Sequence, residues 1–432
     1  MKNYKIFRAI AAVLLFLFPL SLTAYAAEPD WSKIPGANMI LFYPAQTTWE
    51  FLISEGHPGS IALKENRAGC TDCHEGRKAD LAIKSIENRE PTPVPGKEPL
   101  KVISIKAAYD SEYAYFWFQW VAVEPGTYRK YQVFDGKQWK AEGAVDRPYN
   151  IKKGVPAQYE ERLSVMLGDE RVPNFASGGC FITCHNDMRN MPNEAKTGDV
   201  KAHPVLGEKG MKKSDIRKYI SESRTELDET GGWSRIRSKD ELEKLQNQGK
   251  FLDLLQWRAN RGNPIGILDD GYVLEYRNFD SDGKFMEDNF DKDKKQPKYM
   301  YDEKKTGMKA FPYDQLKKQK YYYISRDIAV PFDPDAGWKK GDAIADPVIF
   351  MPEDNTSSVK GEWKDGKWTV VIKRKLNHGK PTEDKMLILG KQYTMGISIH
   401  DDNTTQRHHY VSFPLTVGFD ISSADINIIW TE

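Results

Sequence analysis

Every cysteine in this 432-residue chain lies in one of two Cys-Cys-His runs, and no other feature restricts the chain as tightly. The upstream run is Gly69-Cys70-Thr71-Asp72-Cys73-His74-Glu75-Gly76, the C-x-x-C-H spacing of c-type haem attachment. The downstream run, Gly178-Gly179-Cys180-Phe181-Ile182-Thr183-Cys184-His185-Asn186-Asp187-Met188, has one more residue between its thiols and so departs from that spacing. In both, the thiols can form thioethers to the haem vinyl groups while His74 or His185 becomes the proximal iron ligand, which gives two covalently bound haem c groups. Zinc would need four ligands at each run, and so further His or carboxylate. Disulfides would explain an even cysteine count in an exported chain. They leave unexplained why a His follows each pair when the chain has only eight.

The amino terminus reads as a secretory signal peptide over residues 1–27. Lys2, Lys5 and Arg8 precede the apolar run Ala9 to Phe18, and Ala24-Tyr25-Ala26-Ala27 supplies a small-residue cleavage site. The run is short for a bilayer span, so cleavage is favoured over an uncleaved anchor, and no membrane span is expected after it. The mature protein is expected to be soluble and exported, periplasmic or otherwise, where covalent haem is attached in bacteria. With 63 basic against 62 acidic residues the net charge is +1, so no global field draws nucleic acid or an anionic membrane. A hydrophobic content of 40% suffices for a core in one large or two unequal domains.

Residues 28–98 carry the first run with little strand pattern. Thr47 to Ile53 reads as a capped helix closed by Gly56. His57 follows on a Gly-His-Pro-Gly loop, thirteen positions before Cys70, and is the candidate second ligand of the first iron, with His203 or a methionine as alternatives. Pro91 to Gly96 reads as a stiff linker. Over 99–432 the pattern turns to strands: Leu100 to Ala107 and Tyr113 to Trp120 form a hairpin around Asp110-Ser111-Glu112. Further strands are expected at Leu163 to Leu167, Gly271 to Arg277, Tyr321 to Val330, Trp368 to Arg374, Gln392 to His400 and His408 to Val417. Lys213 to Arg224 and Asp240 to Trp257 read as helical insertions. The fold expected is mainly β, an antiparallel β-sandwich with helical insertions, preceded by a small cytochrome c-like haem segment. Asp280-Ser281-Asp282-Gly283 lacks the acidic spacing of a calcium loop and reads as a surface loop.

Arg162 to Leu167, Cys184 to Pro192, Asp253-Leu254-Leu255-Gln256-Trp257-Arg258-Ala259 and the closing His400-Asp401-Asp402 to Arg407-His408-His409-Tyr410-Val411-Ser412-Phe413-Pro414 resemble the haem-binding domain of the ethylbenzene dehydrogenase and dimethyl sulfide dehydrogenase haem-subunit family. The resemblance spans roughly Leu100 to Ile429. It implies a β-sandwich holding one haem between its sheets and an electron-transfer role beside molybdenum enzymes. The dehydrogenase subunits hold a noncovalent b haem through Met and Lys. This chain is similar instead to a c-type branch with a Cys-Cys-His motif, and His409 falls where the family has its Lys.

The second ligand of the second iron is contested by His409, Met188, Met191, His408 and His400. Met188 and Met191 follow His185 too closely to pass round a porphyrin edge. His408 and His409 alternate on a strand candidate, so if Val411, Phe413 and Leu415 face the interior, His409 joins them and His408 lies outside with Tyr410 and Ser412. Three function classes follow. One is an exported dihaem cytochrome c passing single electrons between a donor and an acceptor protein, serving a molybdenum enzyme or a respiratory chain. Another is a haem enzyme or gas sensor with one open iron position, and the last is a sandwich that haem merely stabilises. There are enough His to close both irons, and this together with the lack of a carboxylate pair or nucleophile-base motif favours the carrier.

Overall fold

The computed structural model describes residues 28–43, 47–87, 96–143, 158–189, 191–208, 216–279, 285–316, 323–349, 357–401 and 408–431. The leader at 1–27, the prolines at 91–95 and the loop at 280–283 lie outside them.

One sheet of thirteen strands organises the fold. Its strands are β1 (Gly36–Phe42), β2 (Leu100–Tyr109), β3 (Tyr113–Val121), β4 (Arg162–Gly168), β5 (Leu252–Arg258), β6 (Gly271–Val273), β7 (Arg277–Phe279), β8 (Ser357–Lys364), β9 (Lys367–Lys375), β10 (Gln392–His400), β11 (Tyr410–Ser412), β12 (Leu415–Phe419) and β13 (Ile426–Trp430). The spatial order is β8-β9-β3-β2-β1-β11-β10-β4-β5-β6-β7, while β12 joins β10 to β13 and β13 returns to β2. Two routes therefore connect β2 with β10, and the pairing closes on itself. Pairs are antiparallel except that β13 runs parallel to β2 and β12. The chain is mainly β with helical insertions, as the sequence predicts.

The expected hairpin is β2 and β3, its turn closed by the Asp110 carboxylate, which accepts from the backbone N–H of Glu112 at 2.8 Å and Tyr113 at 2.7 Å. Alternate side chains of β3, β4, β5, β9 and β10 enter one core, where Trp257 meets Trp120 and Trp368 edge-on. Burying each such aromatic contributes on the order of 2–3 kcal/mol. The other face of β4 and β5 is also covered: Met166, Leu252 and Leu254 pack with Trp49, Leu52, Leu63, Cys180 and Ile182. Cys180 of the second run is thus seated on this second face of the sheet, while Cys70 of the first packs with Phe42, Ala82 and Phe413.

Six readings change. The Asp240 to Trp257 segment is helical only over Lys239–Asn247, after which Gly249 (φ +69°) turns the chain into the fully buried β5. From Ile216 to Arg224 the only helix is a single turn at Ser221–Ser223. The 28–98 segment contributes β1, paired along its whole length with β2, so it is stitched into the sheet. His408 to Val417 is two strands broken at Phe413-Pro414, with both histidines preceding them. Tyr410 there enters the main core, since both sides of this segment are covered. The Gly271 to Arg277 strand is the pair β6 and β7, and Tyr321 to Val330 holds only the short strands Ile324–Ser325 and Ala329–Pro331 among its described residues. No helix among the described residues is long and apolar enough to cross a membrane.

Candidate cofactor sites

The first run is presented by short helices. Thr48 caps α1 (Trp49–Leu52) through its hydroxyl, which accepts from Phe51 N–H. α2 (Ser60–Lys64) follows, and α3 (Cys70–His74) places Cys70, Cys73 and His74 on neighbouring positions of one face. Asp72 secures the start of α3 by accepting from Gly69 N–H at 2.7 Å. His57 donates Nδ1–H to the Leu52 carbonyl at 2.8 Å, which leaves Nε2 as the ligand atom, the orienting arrangement typical of metal-bound imidazoles. Gly59 lies beneath it, where a Cβ would stand 3.0 Å from His57 Cε1 and crowd the ring.

His57 and His74 face one another with ring centroids 6.4 Å apart and planes 29° from parallel. Two imidazoles on opposite sides of one metal, each nitrogen about 2 Å from it, put their centroids about 6 Å apart. The space beside them is a cavity of about 260 Å³ lined by Phe42, Phe51, Leu63, Leu81, Phe181 and Phe413 together with both thiols. Burial, then the neighbouring His57 and Arg77, holds the His74 imidazole below its ordinary pKa and favours the neutral, ligating form. Burial also pushes the Cys70 thiol up to about 12. The apolar slot, the paired thiols and the opposed imidazoles fit a covalent haem.

No disulfide joins the cysteines. Among the described residues the one His, Cys, Asp or Glu group close enough to share a metal ion is Asp270, His378 and Asp384, which includes no residue of either run.

The second run is wound into a tight turn, Gly179–Thr183, entered at Gly179 with φ +55° where a Cβ would meet Pro414 N at 3.0 Å. Cys180 is buried against Gly396 of β10, and burial raises its thiol to about 11. His185 is fully buried: Nδ1 lies 2.5 Å from Glu50 Oε1, and Nε2–H donates to the Tyr219 carbonyl at 3.0 Å. Its ring stacks on Tyr219 at 3.7 Å, with the Arg224 guanidinium on the opposite face of that tyrosine. The Tyr219 hydroxyl donates to Asp187, whose carboxyl burial raises above its usual range. Glu50 is the orienting carboxylate expected behind a metal-bound imidazole. Nε2 must exchange the Tyr219 carbonyl for iron if haem is to be held here.

His409 stacks on His400 at 4.9 Å, and no described contact brings it to His185. Met188 Sδ accepts from His185 N–H at 3.0 Å, which holds it on the His185 side. Met191 packs with Val200 and Leu206 in the cluster that also holds Met188 and Tyr219. His203 spends Nε2–H on the Ser234 carbonyl at 2.9 Å, so it stands apart from the first cavity.

The sequence model for ethylbenzene dehydrogenase matches residues 28–412, most of the chain. The chain belongs to the ethylbenzene dehydrogenase family. Within that setting, cytochrome c-552 of Stutzerimonas stutzeri is 24% identical over 424 residues, 97% of this chain and 97% of that protein. Cytochrome c-551 of Rhodocyclus tenuis is 33% identical over 172 residues, 39% of this chain and 61% of that protein. The family match begins at residue 28 and ends at 412, so it takes in the first cysteine run and the region of the sequence resemblance from Leu100 as far as Ser412.

For a family member with two runs, the side chains that sequence reasoning missed are those connecting them. Glu50, from the helix beside the first cavity, holds His185 and also accepts from Asn186 N–H at 3.1 Å. Phe181, between Cys180 and Cys184, lines the first cavity. The one available signal was Glu50 itself, an acid within the otherwise apolar Trp49-Glu50-Phe51-Leu52.

Proposed function

We propose that this chain is an exported electron-transfer c-type cytochrome with two covalent haems, residues 28–98 carrying the first and 99–432 the second. The observation that carries the reading is the opposed His57 and His74 pair, 6.4 Å apart across an apolar slot that both thiols of the first run enter. Cys70 and Cys73 hold the first haem, and His74 and His57 close its iron. Cys180 and Cys184 hold the second, with His185 proximal and His409 as its distal candidate.

The haem irons supply reversible one-electron chemistry. The chain's own residues hold the ligand geometry: the Leu52 carbonyl fixes His57, Glu50 fixes His185, and Phe51 and Phe413 pack on the imidazoles of the first pair at 5.9 and 6.0 Å. Closing both axial positions of an iron with imidazole excludes substrate, which favours transfer over catalysis. Phe181 brings the two runs to within one side chain of each other, a separation suited to passing an electron internally. Redox proteins are the partners this reading requires, an electron donor and an acceptor, among them a molybdenum enzyme or a respiratory chain. The cytochrome names of the two relatives support the same class.

A haem enzyme or gas sensor is favoured by one observation: His409 is seated on His400 rather than opposite His185, which would leave the second iron open. A pyridine haemochrome assay with intact mass after acid-acetone extraction tests the proposal. Two covalent haems are expected, and a gain of one would show that the longer run attaches none.

A further inference from the structure

The face of the sheet beneath the second run is laid out in matched rows. Across β10, β4 and β5 these rows are Gly396–Met166–Leu254, Ser398–Ser164–Gln256 and His400–Arg162–Arg258. Cys180 stands at the first row, its Sγ 2.5 Å from where a Gly396 Cβ would be. The middle row offers two small hydroxyls, one of them receiving Gln256 Nε2–H at 2.7 Å. The third row begins four residues further along, about 13 Å away at roughly 3.3 Å per residue. That is about the span of a porphyrin from its vinyl edge to its carboxylate arms.

The third row opens onto a cluster of buried charge. Arg162, Arg258, Arg261 and Arg277 gather about two carboxylates, Glu160 and Asp269. The neighbouring Glu161 accepts from Trp120 Nε1. Glu160 lies 2.7 Å from Arg261 but 3.6 and 3.8 Å from Arg162 and Arg258, and Asp269 is divided between Arg258 and Arg277. The Nε–H groups of Arg162, Arg258 and Arg277 are all buried with no hydrogen-bond acceptor among the described residues. Burial and the neighbouring guanidiniums depress Arg258 to about 9 and Arg277 to about 10. A buried guanidinium N–H left without an acceptor is unfavourable, so the three Nε–H groups call for further acceptors.

We propose that Arg162, Arg258 and Arg277 receive the two propionates of a haem attached at Cys180 and Cys184, lying over the Gly396, Ser398 and Ser164 floor. This rests on the second haem of the proposed function. A small inorganic anion would satisfy the guanidiniums but would account for neither the small-residue floor nor the span from the thiols.

The test is made on holoprotein. Intact mass and peptide mapping first establish the haem count: a wild-type gain of one haem, at Cys70 and Cys73 alone, overturns the two-haem reading and this inference with it. With two haems present, Arg258→Gln should retain both yet lower the midpoint potential of one, because a propionate without its cation favours ferric iron. The resonance Raman propionate-bending band should shift, and Arg258→Lys should return both readouts toward wild type. Should Arg258→Gln not accumulate as folded holoprotein, Arg277→Gln reads the same midpoint. Two retained haems with unchanged midpoints and Raman band overturn the proposal. Calorimetric binding of inorganic phosphate that Arg258→Gln abolishes, without change at either haem, would identify a small-anion site instead.

Discussion

Replacing His57 with alanine separates the structural from the ligating contribution of that residue. The structural part is small: one hydrogen bond to the Leu52 carbonyl, about 1 kcal/mol net, and an offset contact with Phe51 at 5.9 Å, about 0.5–1 kcal/mol. The half-buried ring leaves the fold otherwise intact, so the haem-free protein should lose about 1–2 kcal/mol. The ligating part is all or none at one of two irons. Reduced wild-type protein should bind no carbon monoxide, whereas His57→Ala should bind one molecule per chain and convert about half of the low-spin Soret intensity. Titration of reduced protein with carbon monoxide, followed optically, makes the measurement. Retention of both haems with no carbon monoxide bound would refute the reasoning and point to another ligand, such as a methionine.

Glu50→Gln keeps a hydrogen bond to His185 but removes the charge behind it; the imidazole becomes a poorer donor to iron, so one midpoint potential should rise while the other holds in spectroelectrochemistry. Arg374→Met strips the fully buried Asp253 of its guanidinium and should cost about 3–5 kcal/mol, seen as a lower urea midpoint at unchanged slope. In the haem-free protein His74 is held below its unfolded pKa by burial and by His57. The unfolded chain therefore binds the extra proton first, and stability should fall as pH drops below the unfolded value of about 6.5. Thermal melts between pH 7 and 5 should show a loss that His74→Ala removes.

What the sequence discloses and what it hides follow from where partners lie. The β2 and β3 hairpin was legible because its alternation, turn and partner are contiguous. So was α1, whose cap and apolar run sit side by side. β5 was read as helix because both its faces are buried: Leu255 and Trp257 enter one core, Leu252 and Leu254 the other, so the period of two vanishes. β1 was missed because its partner begins only after the proline-rich linker. The opposed His57 and His74 were foreseeable, being close in sequence and set beside one motif. Glu50 behind His185 joins residues 135 positions apart, and the arginine row depends on the register of three strands. Neither is written in any local pattern.

The account turns most directly on the first iron, and EPR of the fully oxidised holoprotein, with haem counted on the same sample, reads it. Imidazole planes 29° apart split the iron d orbitals strongly, so a rhombic low-spin signal from a bis-imidazole haem is expected, lost on His57→Ala. A high-spin signal in the wild type at this haem, or a low-spin signal that survives the substitution, would contradict the ligation by His57 and His74 on which the function is built.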